Sequence, residues 1–189
     1  ATSVSPYLTI GLPIFVKKTR KPISEVSAME FGNKPSDGGH LLLRPDEIKS
    51  LGMTPEQEIR FLRRIYGSEE FINGGEKYCI WIEDDDLADA LRLPSLATRI
   101  ENVRQLRLAS PDKGANALAK RAHQLKLMRI GRENTIVVPA VSSERRQFLP
   151  AGLIPNNTTI SNRNFGIYDG YLWNLAVIVS RIHWVWIDT

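Results

Sequence analysis

The chain has 189 residues, 42% of them hydrophobic and 24% charged, with a formal net charge of +4. That suits one globular domain with a real core and excludes wholesale disorder. A single cysteine, Cys79, excludes an internal disulfide and any cysteine-built zinc or iron–sulfur site. No apolar run approaches the ~18 residues of a membrane span, and the N-terminus lacks a signal-peptide core, so the expected location is cytoplasmic. The chain begins at Ala1 and stops after Trp184-Val185-Trp186-Ile187, which reads as one domain, 1–189, of a longer polypeptide. Charge is uneven along it. Residues 1–91 carry 11 basic and 15 acidic side chains, whereas residues 92–146 carry 12 and 4, a local net of +8. Such a segment fits either a polyanion, most simply nucleic acid, or a solvated helical surface.

In chain order, the runs 7–10 and 14–16 read as short strands, broken by Gly11 and Pro13. A turn-rich loop, Phe31 to Gly39, leads to a buried strand at Leu41–Leu43. Pro45-Asp46-Glu47 opens a short helix. Thr54-Pro55-Glu56-Gln57 is a capping box, and Ile59, Leu62, Ile65 and Tyr66 predict a helix reaching Gly67. After Gly74-Gly75 comes a strand over Lys77–Ile82. The acidic run Glu83–Asp86 suits a helix start, where the dipole favours carboxylates. Ser95 is expected to cap a helix with Leu96, Ile100, Val103 and Leu106 inward and Arg99, Arg104 and Arg107 outward. A second basic helix, Ala115–Leu127, would bury Leu118, Ala122 and Leu125 and turn Lys120, Arg121 and Lys126 out. Thr135–Val138 is a strand, Ser142–Arg146 a polar elbow, Phe148-Leu149 the start of another strand, and Asp169-Gly170 a turn. Residues 171–187 have helical spacing, with enough β-branching to leave strand open. The fold class that follows is α+β, with a mixed, mainly antiparallel sheet and packed helices.

Familiar catalytic patterns are missing. There is no phosphate-binding glycine loop and no dinucleotide fingerprint. His40, His123 and His183 stand apart from one another and from Cys79. His123 reads as part of a polar helix face, His183 as a packed helix residue, and His40 as a weak contact candidate. Asp46, Glu47 and Lys49 superficially evoke a nuclease, but two adjacent carboxylates at a helix start do not converge on one metal.

Three segments together carry a specific resemblance: Phe31-Gly32-Asn33-Lys34-Pro35-Ser36-Asp37-Gly38-Gly39, then Tyr66 through Trp81, then Val141-Ser142-Ser143-Glu144-Arg145-Arg146 running on to Gly152. Arg99 to Arg104 and Arg107 to Ser110 fit the same pattern between the second and third. In this order the chain resembles the target recognition region of MmeI-like type IIG restriction–modification enzymes over nearly its whole length. The resemblance implies a domain that recognises double-stranded DNA beside a methyltransferase domain of the same parent chain. It implies a parent with S-adenosylmethionine-dependent DNA adenine-N6 methyltransferase activity, Mg2+ and, in relatives, an endonuclease. The Asn-Pro-Pro-Tyr/Phe loop and glycine-rich cofactor motif of such parents do not occur here, so the fragment is expected to hold no cofactor or metal and to be inactive alone. Residues 111–132 and 163–169 depart from the family pattern.

The candidate DNA-contacting residues are Ser142, Ser143, Glu144, Arg145 and Arg146 of the elbow, Asn33 and Lys34, and Lys126, Arg129 and Arg132. Phosphate contacts need cations, and base edges need forked or paired polar groups: Arg suits guanine, Glu suits cytosine. The elbow could instead be an Arg–Glu pair pinning a turn. Asn33-Lys34-Pro35 would meet the DNA backbone or the seam with the methyltransferase, whereas Gly67 to Trp81 reads as scaffold. A basic docking domain for another subunit and a standalone nuclease are the competing readings.

Overall fold

The computed structural model describes residues 4, 8, 10, 11, 18, 19, 24–143 and 145–187. The strands expected at 7–10 and 14–16 fall largely outside these residues, as does Glu144. The described chain forms two four-stranded sheets with helices against them, the α+β class expected, with β3–β7 the only parallel pair among its named strands.

The first sheet has the order β2-β4-β3-β7, from β2 (Leu42–Leu43), β3 (Leu62–Tyr66), β4 (Tyr78–Ile80) and β7 (Thr158–Ile160). Against it pack α1 (Pro45–Lys49), α2 (Pro55–Phe61) and α5 (Pro94–Leu108). Leu41, Leu43, Phe61, Ile65, Ile80, Leu96, Ile100, Val103 and Leu125 form the main core. Burying each of these large side chains contributes about 1.5–3 kcal/mol. Cys79 lies fully buried within it, and burial pushes its thiol up to about 12.

The second sheet has the order β1-β8-β5-β6, from β1 (Glu30–Phe31), β5 (Asn134–Pro139), β6 (Gly152–Pro155) and β8 (Asn164–Tyr168). Strand alternation splits its side chains between two faces. Val137 and Ile154 meet Ile160, Tyr66 and Phe71 between the sheets. Ile136, Val138 and Ile167 face Leu175 and Ile178 of α7 (Leu172–Ile178).

Several expectations need correction. The helix from Thr54 ends at Phe61, although its capping box forms as read. Leu62–Tyr66 turns into β3, because that stretch is claimed on one side by β4 and on the other by β7, and Ile59 is left exposed. A short helix, α3 (Ser68–Asn73), follows and closes on left-handed Gly74, and a one-turn helix, α4 (Leu87–Ala90), comes after the acidic run. Ser95 is not the cap of α5: Leu93 holds that position, and the Ser95 hydroxyl donates to the Leu51 carbonyl at 2.7 Å. On α5 the expected roles of two neighbours are reversed, with Leu106 43% exposed and Arg107 only 1%.

The second basic helix is shorter than read. It breaks into α6 (Lys113–Ala117), a 3-10 turn over Leu118–Arg121 and a buried run from Ala122 to Leu125. His123 is buried there and bonds Asp84 at 2.9 Å instead of lying on a polar face. Phe148-Leu149 is irregular, and the strand begins at Gly152. The helical spacing of residues 171–187 is realised as two helices, α7 and α8 (Arg181–Ile187); Leu175 and Ile178 pack onto the second sheet, whereas Leu172, Ile182 and Trp186 are exposed.

Candidate nucleic-acid interface

Strand register collects most of the candidate residues at one end of the second sheet. Pro139 at the end of β5 pairs with Asn164 at the start of β8, and Phe31 of β1 pairs with Phe165. The elbow leaving β5, the turn entering β8 and the Gly32–Lys34 segment leaving β1 therefore share that end.

The turn from Ile160 to Asn164 is the hub of this arrangement. Its own polar groups tighten it: the Arg163 amide donates to Ser161 Oγ at 3.3 Å, and the Asn164 amide to the Ser161 carbonyl at 3.0 Å. From the first signature segment, the Gly32 amide donates to the Asn164 carbonyl at 3.0 Å and the Asn33 amide to Ile160 at 2.7 Å, while Asn33 accepts from the Asn162 amide at 3.0 Å. A Cβ on Gly32 would overlap the carbonyl oxygens of Ser161 and Ile160, which is why that position is glycine. From the second segment, the Tyr66 carbonyl accepts from the Ser161 amide at 2.9 Å and the Asn164 amide side chain at 2.8 Å, and the Ser68 hydroxyl donates to the Arg163 carbonyl at 2.5 Å. Just before the third segment, the Ala140 amide donates to that same Arg163 carbonyl at 3.0 Å. Two signature segments and the residue that leads into the third thus meet at one turn.

Asn33 is fully buried, and its side chain is spent inside the protein. It donates to the Arg129 carbonyl (2.7 Å) and Thr159 Oγ1 (2.6 Å) and accepts from the Arg129 amide (2.8 Å). In this structure its side chain acts as a strut rather than as an exposed group. It sets the exposed Lys34, whose carbonyl accepts from the Lys126 amide at 2.9 Å, so the two lysines sit side by side. Arg129 is half-buried and committed to Glu30 (3.2 Å) and the Phe31 carbonyl (3.1 Å). Arg132 lies at the other end of β5, beside Asp169. Backbone N–H groups, chiefly that of Glu133, hold the Asp169 carboxyl below its usual range.

In the elbow, the Arg145 amide donates to Ser143 Oγ (3.3 Å) and the Arg146 amide to the Ser143 carbonyl (3.1 Å). Both arginines and Ser143 are exposed, and the half-buried Ser142 has a hydroxyl with no partner among the described residues. Lys34, Lys126, Arg145, Arg146 and Arg163 form no ion pair among the described residues.

The rest of the +8 segment is largely neutralised or consumed. Arg92 pairs with Asp89, Arg99 with Glu47 and the His40 carbonyl, and Arg104 with Glu101, whose carboxyl falls to about 2 through its hydrogen bond to Arg104. Arg121 donates to the Lys126 carbonyl. Sequence reasoning missed Arg163, though turn-forming Ser161-Asn162 directly before a β run was the available signal. Glu47 is consumed by the Arg44 amide and Arg99, and Asp46 by Arg44, so helix-start chemistry accounts for both carboxylates. Among the described residues no group of three His, Cys, Asp or Glu could hold a metal ion, and no helix is long and apolar enough to cross a membrane. A cleft of about 860 Å³ opens on the first sheet beside Arg64, Tyr66 and Tyr78, but none of the candidate residues lines it.

DNA methyltransferase A of Bacillus subtilis (strain 168) is 36% identical over 186 residues, 98% of this chain but 21% of the relative's length. The Type IIL restriction–modification enzyme MmeI, solved in complex with DNA, superposes with a TM-score of 0.81 at 29% identity, covering 97% of this chain and 24% of that one. The chain thus spans a fifth to a quarter of the proteins it matches. The family model described as "MmeI, target recognition domain" matches residues 11–189, and the chain belongs to that family.

Proposed function

We propose that this domain recognises a specific sequence in double-stranded DNA from the end of the β1-β8-β5-β6 sheet. The observation that carries the reading is the convergence of all three signature segments on that end, where Lys34, Lys126, Arg145, Arg146 and Arg163 carry charge no carboxylate answers among the described residues. Unpaired cations on a concentrated surface supply the phosphate contacts that position a protein on a duplex, and the hydroxyl and guanidinium groups among them can meet base edges. Its likeness to a protein solved with DNA supports the same reading.

The activity served is that of a longer site-specific DNA methyltransferase acting on adenine N6 within a restriction–modification enzyme, supported at the level of a methyltransferase by the named relative. S-adenosylmethionine would be held by other parts of that longer chain, because the glycine-rich and Asn-Pro-Pro motifs are absent from these 189 residues; Mg2+ would serve an endonuclease of the parent. The fragment supplies specificity and no catalytic group. The exposed apolar side chains of α7 and α8, among them Leu172, Trp173 and Ile182, suit contact with the neighbouring methyltransferase domain.

The test is the salt dependence of duplex binding. Reversing Arg145 and Arg146 to Glu should weaken binding and reduce the slope of log K against log salt by about 2, since two phosphate contacts are lost. An unchanged affinity and slope in a fluorescence anisotropy titration would remove the elbow from the interface.

A further inference from the structure

We propose that Arg163, on the turn between β7 and β8, reads a base pair of the target. This rests on the duplex reading above and adds a specificity residue to it. The elbow and the turn differ in how firmly their backbones are held. Among the described residues, the backbone of Arg145 and Arg146 is held by short-range bonds to Ser143. A guanidinium on such a support suits phosphates, which tolerate a mobile cation.

The backbone of Arg163 is fixed from several directions. Its carbonyl accepts from the Ala140 amide and the Ser68 hydroxyl, its amide donates to Ser161 Oγ, and both neighbours are tied to Asn33, Gly32 and Tyr66. The side chain itself is exposed and forms no ion pair among the described residues. Reading a base favours a donor pair carried on a rigidly held backbone. A forked guanidinium on such a support can match guanine O6 and N7 in the major groove. The scaffold pins the backbone on either side of this residue and leaves its side chain free, as a reading group requires. The flanking cations Lys34 and Lys126 on one side and Arg145 and Arg146 on the other supply the phosphate anchoring that would seat the turn in the groove.

The test uses the full-length protein and a random-sequence duplex pool, with bound sequences recovered and read, followed by anisotropy titrations on the enriched duplex. Wild type enriches a motif. Arg163→Ala should lose preference at one guanine–cytosine position, by about 5- to 150-fold, with its remaining positions and its thermal midpoint kept. Arg163→Lys should lose the same preference while retaining the salt slope, because the charge stays and the fork goes. Equal weakening on every sequence, with a slope lower by about one for Arg163→Ala and restored by Arg163→Lys, would make Arg163 a phosphate contact and overturn the assignment. An unchanged motif would overturn it too. The elbow variants are read separately: an elbow without effect beside an Arg163 variant with a relaxed motif refutes the elbow alone. A wild type that enriches nothing refutes the duplex reading itself, and this residue's role with it.

Discussion

Arg107 shows how a single residue can defeat a reading from amphipathic pattern. Its position on α5 placed it on the outer face, yet it is 1% exposed and spends all five N–H groups on backbone carbonyls: Ser36, Pro35, Leu118, Arg121 and Gln124, at 2.8–3.2 Å. Burial lowers its pKa, opposed by the nearby Asp37 charge. The guanidinium fork fits because it is planar and carries five donors in fixed directions. One side chain thereby closes the first signature loop onto the 3-10 turn, and with it Lys34 onto Lys126. Replacing it with lysine removes two donors and leaves buried carbonyls unpaired. Arg107→Lys should destabilise the domain by about 2 kcal/mol or more, at 1–3 kcal/mol per orphaned group, read as a lower midpoint in urea unfolding. No loss of stability would show that these carbonyls find other partners.

At the level of elements, what a sequence shows depends on whether the partner is local. The capping box at Thr54 forms as read because both of its hydrogen bonds lie within one turn of helix. The end of that helix was not legible. Leu62, Ile65 and Tyr66 satisfy a helical period, but their fate is decided by β4 and by β7, roughly a hundred residues away. The same limit applies to the candidate site. The signature segments were visible as words, and Lys34 and the elbow arginines as cations, but their meeting point at Ile160–Asn164 exists only through long-range bonds. Gly32 is the residue that permits this approach. Gly32→Ala should force β1 away from the turn at a cost of about 1–3 kcal/mol, and duplex discrimination should fall more than general affinity. A variant with full stability and unchanged discrimination would mean that the close approach is dispensable.

At the scale of the whole molecule, charge and apolar surface are unevenly placed. The +4 total conceals a +8 segment, and the fold spends much of that segment on internal pairing; Lys126, Arg145 and Arg146, unpaired among the described residues, lie with Lys34 and Arg163 at one sheet end, whereas Arg132 lies at the other. Apolar side chains are exposed on α7 and α8, where Trp173, Val177, Ile182 and Trp186 are each half or more exposed, and also at the sheet end, where Phe31, Val141 and Phe148 are. The main core, by contrast, closes around the first sheet and α5. On the proposed reading the charged end meets DNA and the apolar side chains of α7 and α8 meet the neighbouring domain, a division that suits a recognition module within a longer chain. Hydrogen–deuterium exchange of the full-length protein, with and without its enriched duplex, tests that division most directly. Binding should protect the backbone of residues 32–35, 140–147 and 160–164 while leaving the first-sheet cleft around Arg64 and Tyr78 unchanged. Protection confined to that cleft or to α7 and α8, with none at the sheet end, would contradict the account.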